Sequence, residues 1–468
     1  MVKKYILPFF LIATIAGCSA ISLSGERSPA STYEKVSDTM KEFLEIESRH
    51  NPGKTVFDQT PLELSFAEIE IGEEMYQVGN HDQWFRGEQG ANGANGYIFD
   101  EANYLPEDIK PYFYEERQGK KFVKFYFHPY DQRQSKEVLT YLSDNNIPFT
   151  LHESGPLKAY STASKSLIAY DRNTGRSFSL KTSTDGTVQG TGYFEKRPYP
   201  TRWSYMVGLL SDSFKKVSPS LENLDIGWEP LITGIPAVDQ SNSIRLMEKV
   251  SSGETMQVSG FVFNDNAKAK AIAERAGMSF DDFWEEAFRI KGRAMAEMGL
   301  YLGFLVSSNH AQNFRWELDN EGRLTGNIIF IDLSDGRPIR NIQMAAGNSE
   351  LISQWERYVT DSNNIVEGNS VYFSNFFRGD HNSEIPQKWH KVMREGVVER
   401  VSEILEVDKE TIDPLIVSGK GRTGIVSWGL DTDQNEDVKR AFAGHLNRLT
   451  NSTNGESCYR IIHNLLGR

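Results

Sequence analysis

The side chains best suited to chemistry lie in one stretch, between residues 308 and 336. It contains His310-Ala311-Gln312-Asn313, then two alternating apolar runs separated by a turn, and Asp332 where the second run ends. The alternation predicts two strands, and an antiparallel pair would return Asp332 to the end where His310 and Asn313 lie. A carboxylate and an amide oxygen are ligands that Mg²⁺ accepts beside water or phosphate oxygens. An imidazole beside them can contact a phosphate or carry a proton.

This motif resembles the ATP site of the NRPS-independent siderophore synthetases, the aerobactin-synthetase family. In those enzymes a helix runs into a His-Gly-Gln-Asn loop, which is followed by two strands and an Arg-Asp pair. The present chain has an amphipathic helix predicted over 280–302, then the loop at 310–313, the two strands and Asp332. The layout is also similar to the catalytic loop and metal-binding aspartate of protein-kinase-like folds.

Upstream, the family has a Thr-Ser-x-Arg-Thr-type segment and a lysine on the next strand, and both contact the nucleotide phosphates. Residues 162–166 (TASKS) followed by Lys181 match this pattern, so the resemblance covers roughly residues 160 to 340. It implies Mg-ATP as the cofactor, with Asn313 and Asp332 on the metal and with His310 and Asp332 in catalysis. The side chains implied in nucleotide binding are Ser164, Lys165, Lys181, Gln312 and Asn313.

The chain also departs from the family pattern. Ala311 replaces the glycine of the loop, Ile331 replaces the arginine before Asp332, and Lys165 stands where arginine is usual. Lysine can still hold a phosphate but lacks the planar, bidentate fork of arginine. Ile331 removes a positive charge from the site, and the N-terminal region is shorter than the family's substrate-binding lobe.

Several of these residues also have ordinary structural interpretations. His310 could cap the end of the preceding helix, and Lys181 could be a solvated strand lysine. Arg245 lies in an apolar run, where an edge-strand arginine is the simpler interpretation and a phosphate contact the alternative. Glu229 could pair with Lys181 as the helix glutamate pairs with the strand lysine in kinases, but Pro230 follows it and argues against a helix.

One further segment is similar to a phosphate loop. Residues 419–424 (GKGRTG) resemble the loop of cysteine phosphatases, but Ile416 occupies the position of the nucleophile, six residues before Arg422. That chemistry is therefore excluded, and only an anion site made by backbone amides is left open.

The first 18 residues predict where the protein resides. Lys3 and Lys4 precede a short apolar run that ends at Gly17-Cys18, which is typical of a secretory leader. A cysteine at the cleavage point is similar to the lipobox of bacterial lipoproteins, whose thiol is lipidated and becomes the mature N-terminus. We therefore expect a lipid anchor on Cys18 and a location in the bacterial cell envelope, at the outer membrane if the host is Gram-negative.

The bulk composition limits the possible partners. The chain has 468 residues and a formal net charge of −13, which argues against nucleic-acid binding because that requires a basic surface. Its two cysteines are Cys18 and Cys458. If lipid occupies Cys18, Cys458 is expected to be unpaired. The expected partners are then the membrane, through the lipid, and a small-molecule or envelope-protein substrate that the sequence does not specify.

The pattern of predicted elements indicates an α+β fold with a strand-helix N-terminal lobe, a central mainly antiparallel sheet and a helical C-terminal lobe. The predicted regions are a leader (1–18), a tether (19–32), an α/β region (33–157), a sheet-rich nucleotide lobe (158–265) and a helical lobe with the His310 loop (266–468). Predicted helices are 33–49, 135–142, 205–214, 280–302, 351–359, 387–405, 437–449 and 459–466. Predicted strands are 122–127, 147–151, 166–170, 178–182, 243–250 and 256–263.

Three functions are compatible with these features, one of which is an exported kinase-like transferase that acts on envelope or secreted proteins; the other two follow from the motif and from the leader. The motif indicates an ATP-dependent enzyme that activates a carboxylate or transfers a phosphoryl or nucleotidyl group. The leader indicates an envelope lipoprotein, a location with little ATP, in which a degenerate form of the fold serves as a binding or structural module.

Overall fold

The computed structural model describes residues 36–48, 61–71, 105–129, 131–162, 165–184, 196, 208, 221–305, 309, 311–333, 336–345, 352, 370–374, 387–420 and 426–450. The leader with Cys18, Ser164, His310, Cys458 and most of the predicted helices at 205–214, 351–359 and 459–466 lie outside these ranges. Within them, no helix is long and apolar enough to cross a membrane. The domain boundaries given above stay predictions.

The helices are α1 (Asp38–Ser48), α2 (Gln132–Asp144), α3 (Glu248–Ser252), α4 (Asn266–Arg275), α5 (Phe280–Leu300), α6 (Arg340–Ala345), α7 (Gln387–Leu405), α8 (Lys409–Ile412) and α9 (Glu436–Thr450). The first strands are β1 (Leu62–Glu63), β2 (Phe66–Ile71), β3 (Tyr114–Arg117), β4 (Lys120–Tyr126), β5 (Phe149–His152), β6 (Leu157–Ser161), β7 (Ser166–Asp171), β8 (Ser177–Lys181), β9 (Leu224–Ile226) and β10 (Leu231–Ile235). The others are β11 (Gln240–Arg245), β12 (Met256–Ser259), β13 (Phe304–Leu305), β14 (Phe314–Leu318), β15 (Leu324–Phe330), β16 (Arg337–Pro338), β17 (Ser370–Ser374), β18 (Ile416–Lys420) and β19 (Val426–Asp431).

The N-terminal lobe is a four-stranded antiparallel sheet in the order β3-β4-β2-β5. Alternate residues of β2 and β4 face α2, so that Phe125 packs with Val138 and Leu142. Helix α2 begins three residues before the predicted start because the Asp131 side chain accepts a hydrogen bond from the Gln134 amide at 2.8 Å, which caps the first turn.

The central sheet has six antiparallel strands in the order β1-β6-β7-β8-β11-β10. The predicted β7–β8 hairpin is confirmed, and Asp171 holds its turn by accepting hydrogen bonds from the amides of Asn173 and Thr174. The prediction of a strand over 243–250 is wrong beyond Arg245, because the chain turns into α3. That helix ends at Gly253, whose φ of +82° favours glycine.

A third sheet has the order β12-β14-β15-β9 and packs against α5. The prediction of a strand over 256–263 is wrong beyond Ser259, where the chain forms a 3₁₀ helix over Gly260–Asn264. The predicted long helix is confirmed as α5, whose first turn is capped by the Ser279 side chain through the Asp282 amide. Four large aromatic rings fill the interface between α5 and the sheet: Phe263, Trp284, Phe288 and Trp316.

In the C-terminal lobe, α7 packs across α5, and the two helices approach each other closely at Gly292 and Gly396. A Cβ atom on Gly292 would overlap the Met393 carbonyl, and one on Gly396 would overlap the Arg289 carbonyl. The helices α7 and α9 are confirmed close to their predicted bounds. This lobe is not entirely helical, because β17, β19 and β18 form a three-stranded antiparallel sheet. The α+β class is confirmed.

Candidate active site

The strands β14 and β15 form the predicted hairpin, with Phe314 opposite Phe330. Beyond the last pair, the Ile331 amide donates a hydrogen bond to the Asn313 carbonyl at 2.9 Å, so Asn313 and Asp332 emerge at the same end. Asp332 has a φ of +57°, a left-handed conformation that aspartate and asparagine tolerate better than other residues with a side chain. This conformation ends the strand and turns the chain at the site.

Lys181 reaches this end of the hairpin from the central sheet. It is the last residue of β8, where it pairs with Ser166 on one side and Ser243 on the other. Its Nζ atom lies 3.0 Å from Asp332 Oδ1. Burial raises the pKa of Asp332, but Lys181, Lys196 and Lys165 outweigh burial and lower it below the ordinary aspartate value. The carboxylate is therefore ionised at neutral pH, and its side chain is 33% exposed.

Glu229 is the buried centre of the charges behind Asp332. Its Oε1 atom accepts a hydrogen bond from Arg245 at 2.9 Å and lies 3.3 Å from Lys181 Nζ. Its Oε2 atom accepts from Ser243 at 2.8 Å and from Lys196 at 3.2 Å. Burial raises the pKa of Glu229, but the three cations outweigh burial and lower it.

The sequence left open whether Glu229 pairs with Lys181, as a glutamate pairs with the strand lysine in kinases. The structure supports this pairing, because the two side chains are in contact. As Pro230 indicated, the contact is made from an extended segment between β9 and β10 and not from a helix. Gly227 allows the close approach, since a Cβ atom there would lie 2.5 Å from Ile331 Cγ2 and 3.0 Å from Arg245 Cδ.

The edge-strand interpretation of Arg245 is wrong. Strand β11 lies between β8 and β10, inside the sheet, and the arginine is 6% exposed. A buried guanidinium requires partners, and Arg245 finds them in Glu229 and the Gly227 carbonyl.

A cavity of about 220 Å³ opens in front of these charges. Five of the site residues predicted from the sequence line it: Lys165, Lys181, Gln312, Asn313 and Asp332. The other two, Ser164 and His310, lie outside the described residues. The lining includes four cationic side chains, Lys165, Lys181, Arg245 and Arg315, but only two carboxylates, Glu47 and Asp332. In a chain of net charge −13, this local excess of positive charge favours an anionic ligand.

The sequence did not predict that helix α1 lines one side of this cavity, through Phe43 and Glu47. Arg315 Nη2 lies 3.2 Å from Glu47 Oε1, and its guanidinium carbon is 4.9 Å from the centre of the Phe43 ring. A signal was present, because Arg315 and Glu317 alternate with apolar residues on a strand in the middle of the structure. The partner helix could not be identified, since residues 36–48 carry no motif that relates them to the hairpin.

The two residues predicted to hold the metal fit a magnesium ion only in part. Asp332 offers one carboxylate and Asn313 one amide, and the described residues contain no cluster of three His, Cys, Asp or Glu side chains that could hold a metal. Such a set fits Mg²⁺, which is commonly bound by one or two carboxylates together with substrate phosphates and water. It does not fit a metal held in an all-protein cage. The other proposed anion site, at 419–424, begins within β18, and its residues 421–424 lie outside the described ranges.

No protein-family model matches this chain, and no curated protein matches it. Among solved structures, it is similar to an aerobactin synthetase from a hypervirulent pathotype of Klebsiella pneumoniae, with 11% identity and a TM-score of 0.40 over 76% of this chain and 65% of the other. It is also similar to a petrobactin biosynthesis protein from Bacillus anthracis, with 12% identity and a TM-score of 0.44 over 90% of this chain and 65% of the other. In both cases the match spans less than two thirds of the other protein.

Proposed function

We propose that this protein binds Mg-ATP in the cavity and uses it to activate a carboxylate, or to transfer a phosphoryl or nucleotidyl group. The observation that carries the proposal is the 3.0 Å contact between Lys181 and Asp332 at a cavity rich in cations. A lysine that can hold phosphates and a carboxylate that can hold Mg²⁺ meet there, although they come from different sheets. The sequence motif supports the same assignment.

Each residue has a role that its position allows. Lys181 and Lys165 would donate hydrogen bonds to phosphate oxygens, and Asn313 and Asp332 would hold the metal through oxygen atoms. A bound Mg²⁺ would neutralise charge on the phosphates during transfer. Because the pKa of Asp332 is lowered, the carboxylate is already ionised and can accept the ion without releasing a proton. The predicted roles of Ser164 in phosphate binding and of His310 in stabilising the developing charge stay predictions.

The size of the cavity limits which part of the ligand these residues enclose. Small-molecule sites commonly measure about 300–1,000 Å³, whereas this cavity measures about 220 Å³. We therefore propose that the described residues surround the charged triphosphate end.

The ion pair between Lys181 and Asp332 has to open when the ligand binds. Lys181 keeps a partner in Glu229 at 3.3 Å, so its ammonium group is not left without a counter-charge when it turns to a phosphate. This alternative partner lowers the cost of exchanging Asp332 for the ligand, since an unpaired buried charge is unfavourable.

We expect Mg-ATP to raise the thermal stability of the full-length protein. A ligand present at about 100 times its Kd stabilises the folded state by about 2.7 kcal/mol, which should move the melting temperature by several degrees. The shift should require both components, so Mg²⁺ alone and ATP with a chelator serve as controls. A melting temperature unchanged by Mg-ATP at millimolar concentration would refute the proposal.

The second candidate is an envelope lipoprotein that binds a ligand without turnover. Ile331 favours it, because this apolar side chain lines the cavity where the related family has an arginine. The two functions are separated by measuring the release of ADP, AMP or pyrophosphate from a protein that binds Mg-ATP. Release above the background rate would support the enzyme, and binding without release would support the module.

We also propose that the protein is tethered to the cell envelope by a lipid on Cys18. The support is the basic start, the short apolar run and the cysteine at the predicted cleavage point. Cys18→Ser is expected to move the protein out of the membrane fraction or leave the leader uncleaved, as fractionation and intact mass would reveal. The same fraction as the wild type, with a mass that differs only by the exchange of sulfur for oxygen, would contradict the anchor. Cys458→Ser is the matched control and should stay in the membrane fraction, with a mass that differs only by that exchange.

A further inference from the structure

A further lysine, Lys196, lies beside Glu229 and does not line the cavity. Lys196 Nζ is 3.2 Å from Glu229 Oε2, and the side chain is 4% exposed. The Lys196 amide donates to Ser183 Oγ at 2.7 Å, and its carbonyl accepts from the Ser241 amide at 2.8 Å. Strand β11 and the segment that follows β8 therefore hold this lysine against the carboxylate that also contacts Lys181.

The charges that form ion pairs with one another around Glu229 balance without a proton on Lys196. Lys181 and Arg245 are matched by Glu229 and Asp332, so a charged Lys196 would leave an excess of positive charge around the fully buried Glu229. Burial is the main cause that lowers the pKa of Lys196 to about 7. The positive charges of Lys181 and Lys165 also lower it, and the negative charges of Glu229 and Asp332 raise it. These groups and Arg245 are the charged side chains that surround it among the described residues.

We propose that Lys196 is a positioning residue that couples ligand binding to proton uptake. The inference rests on the proposed function, in which the phosphates of Mg-ATP enter the cavity. In the free protein, Lys196 is uncharged in a substantial fraction of molecules while Lys181 pairs with Asp332. Lys181 keeps its contact with Glu229 but shares its positive charge with the phosphate groups, so it neutralises that carboxylate less, and the phosphates add negative charge near Lys196. Lys196 then takes a proton from solvent and holds Glu229 in place.

Titration calorimetry of the full-length protein with Mg-ATP tests the coupling. In buffers with different ionisation enthalpies near pH 7.5, the wild type is expected to take up a fraction of a proton on binding. Its Kd should rise by up to about tenfold per pH unit above neutrality. Lys196→Arg should bind without this uptake and with a flat pH profile, because arginine stays charged. Lys249→Met, at a half-exposed lysine, is the control and should behave as the wild type.

A ligand-free measurement tests the charge state of Lys196 separately. The unfolded chain keeps a lysine pKa near 10.5, so above pH 7 it binds more protons at this residue than the folded protein does. Stability should therefore rise with pH relative to Lys196→Met, by up to about tenfold per pH unit in the unfolding equilibrium constant.

These experiments distinguish a failure of the proton coupling from a failure of the proposed function. Binding of Mg-ATP with equal proton uptake in wild type and Lys196→Arg, or a stability difference from Lys196→Met that is constant with pH, would overturn this inference alone. No binding of Mg-ATP at all would overturn the proposed function and the coupling with it.

Discussion

Glu229→Gln is expected to lower the free energy of unfolding by about 3–5 kcal/mol, the range found when one partner of a buried ion pair is removed. Glu229 is fully buried and contacts Lys181, Lys196 and Arg245. Glutamine has the same shape but no charge, so at least two buried cations would lose their counter-ion. Among the ion pairs of the described residues, Lys181 has a further carboxylate partner in Asp332, and Lys196 and Arg245 have none.

Urea denaturation of wild type and variant at neutral pH measures this effect. Glu274→Gln is a matched control, because Glu274 is 62% exposed and pairs only with Lys270 at 3.5 Å among the interactions of the described residues. Exposed substitutions of this kind change stability by about 0.5 kcal/mol or less. A loss at Glu229 of less than about 1 kcal/mol would mean that the three cations do not depend on it.

Much of the fold follows from local patterns. The period of apolar residues predicts α5, and the Ser279 cap adds a clear start. The β14–β15 hairpin also follows from the sequence, because its alternation and turn are short-range signals. The region around Arg245 could not be predicted from alternation, since the apolar run there continues into a short helix that ends at Gly253.

Residues of the candidate site could be predicted from the sequence only where they belong to a recognisable motif. Asn313 and Asp332 emerge at the same end because one hairpin joins them, and the family resemblance predicted that Lys181 lies with them. The contact of Arg245 with Glu229 depends on how β11 packs beside the segment before β10. The Arg315–Glu47 pair depends on α1, which is distant in sequence. Contacts of this type are made by tertiary packing, which leaves no local periodicity in the sequence.

Asp332→Asn should reduce the affinity for Mg-ATP at least about 10–100-fold and abolish its dependence on magnesium, because it removes the one exposed carboxylate proposed to hold the ion. Asparagine is preferable to alanine here, since it tolerates the φ of +57°. The free protein should lose little stability, because the Asp332 side chain is 33% exposed and Lys181 retains Glu229. Asp281→Asn, at a side chain that is 70% exposed, makes the same change of charge away from the cavity and should bind as the wild type.

The Kd of Mg-ATP for wild type, Asp332→Asn and Asp281→Asn, measured by calorimetry with and without Mg²⁺, tests the central claim most directly. We predict magnesium-dependent binding by the wild type and Asp281→Asn, and its loss in Asp332→Asn at nearly unchanged melting temperature. Equal, magnesium-dependent binding by Asp332→Asn and the wild type would contradict the assignment of this cavity as the nucleotide site.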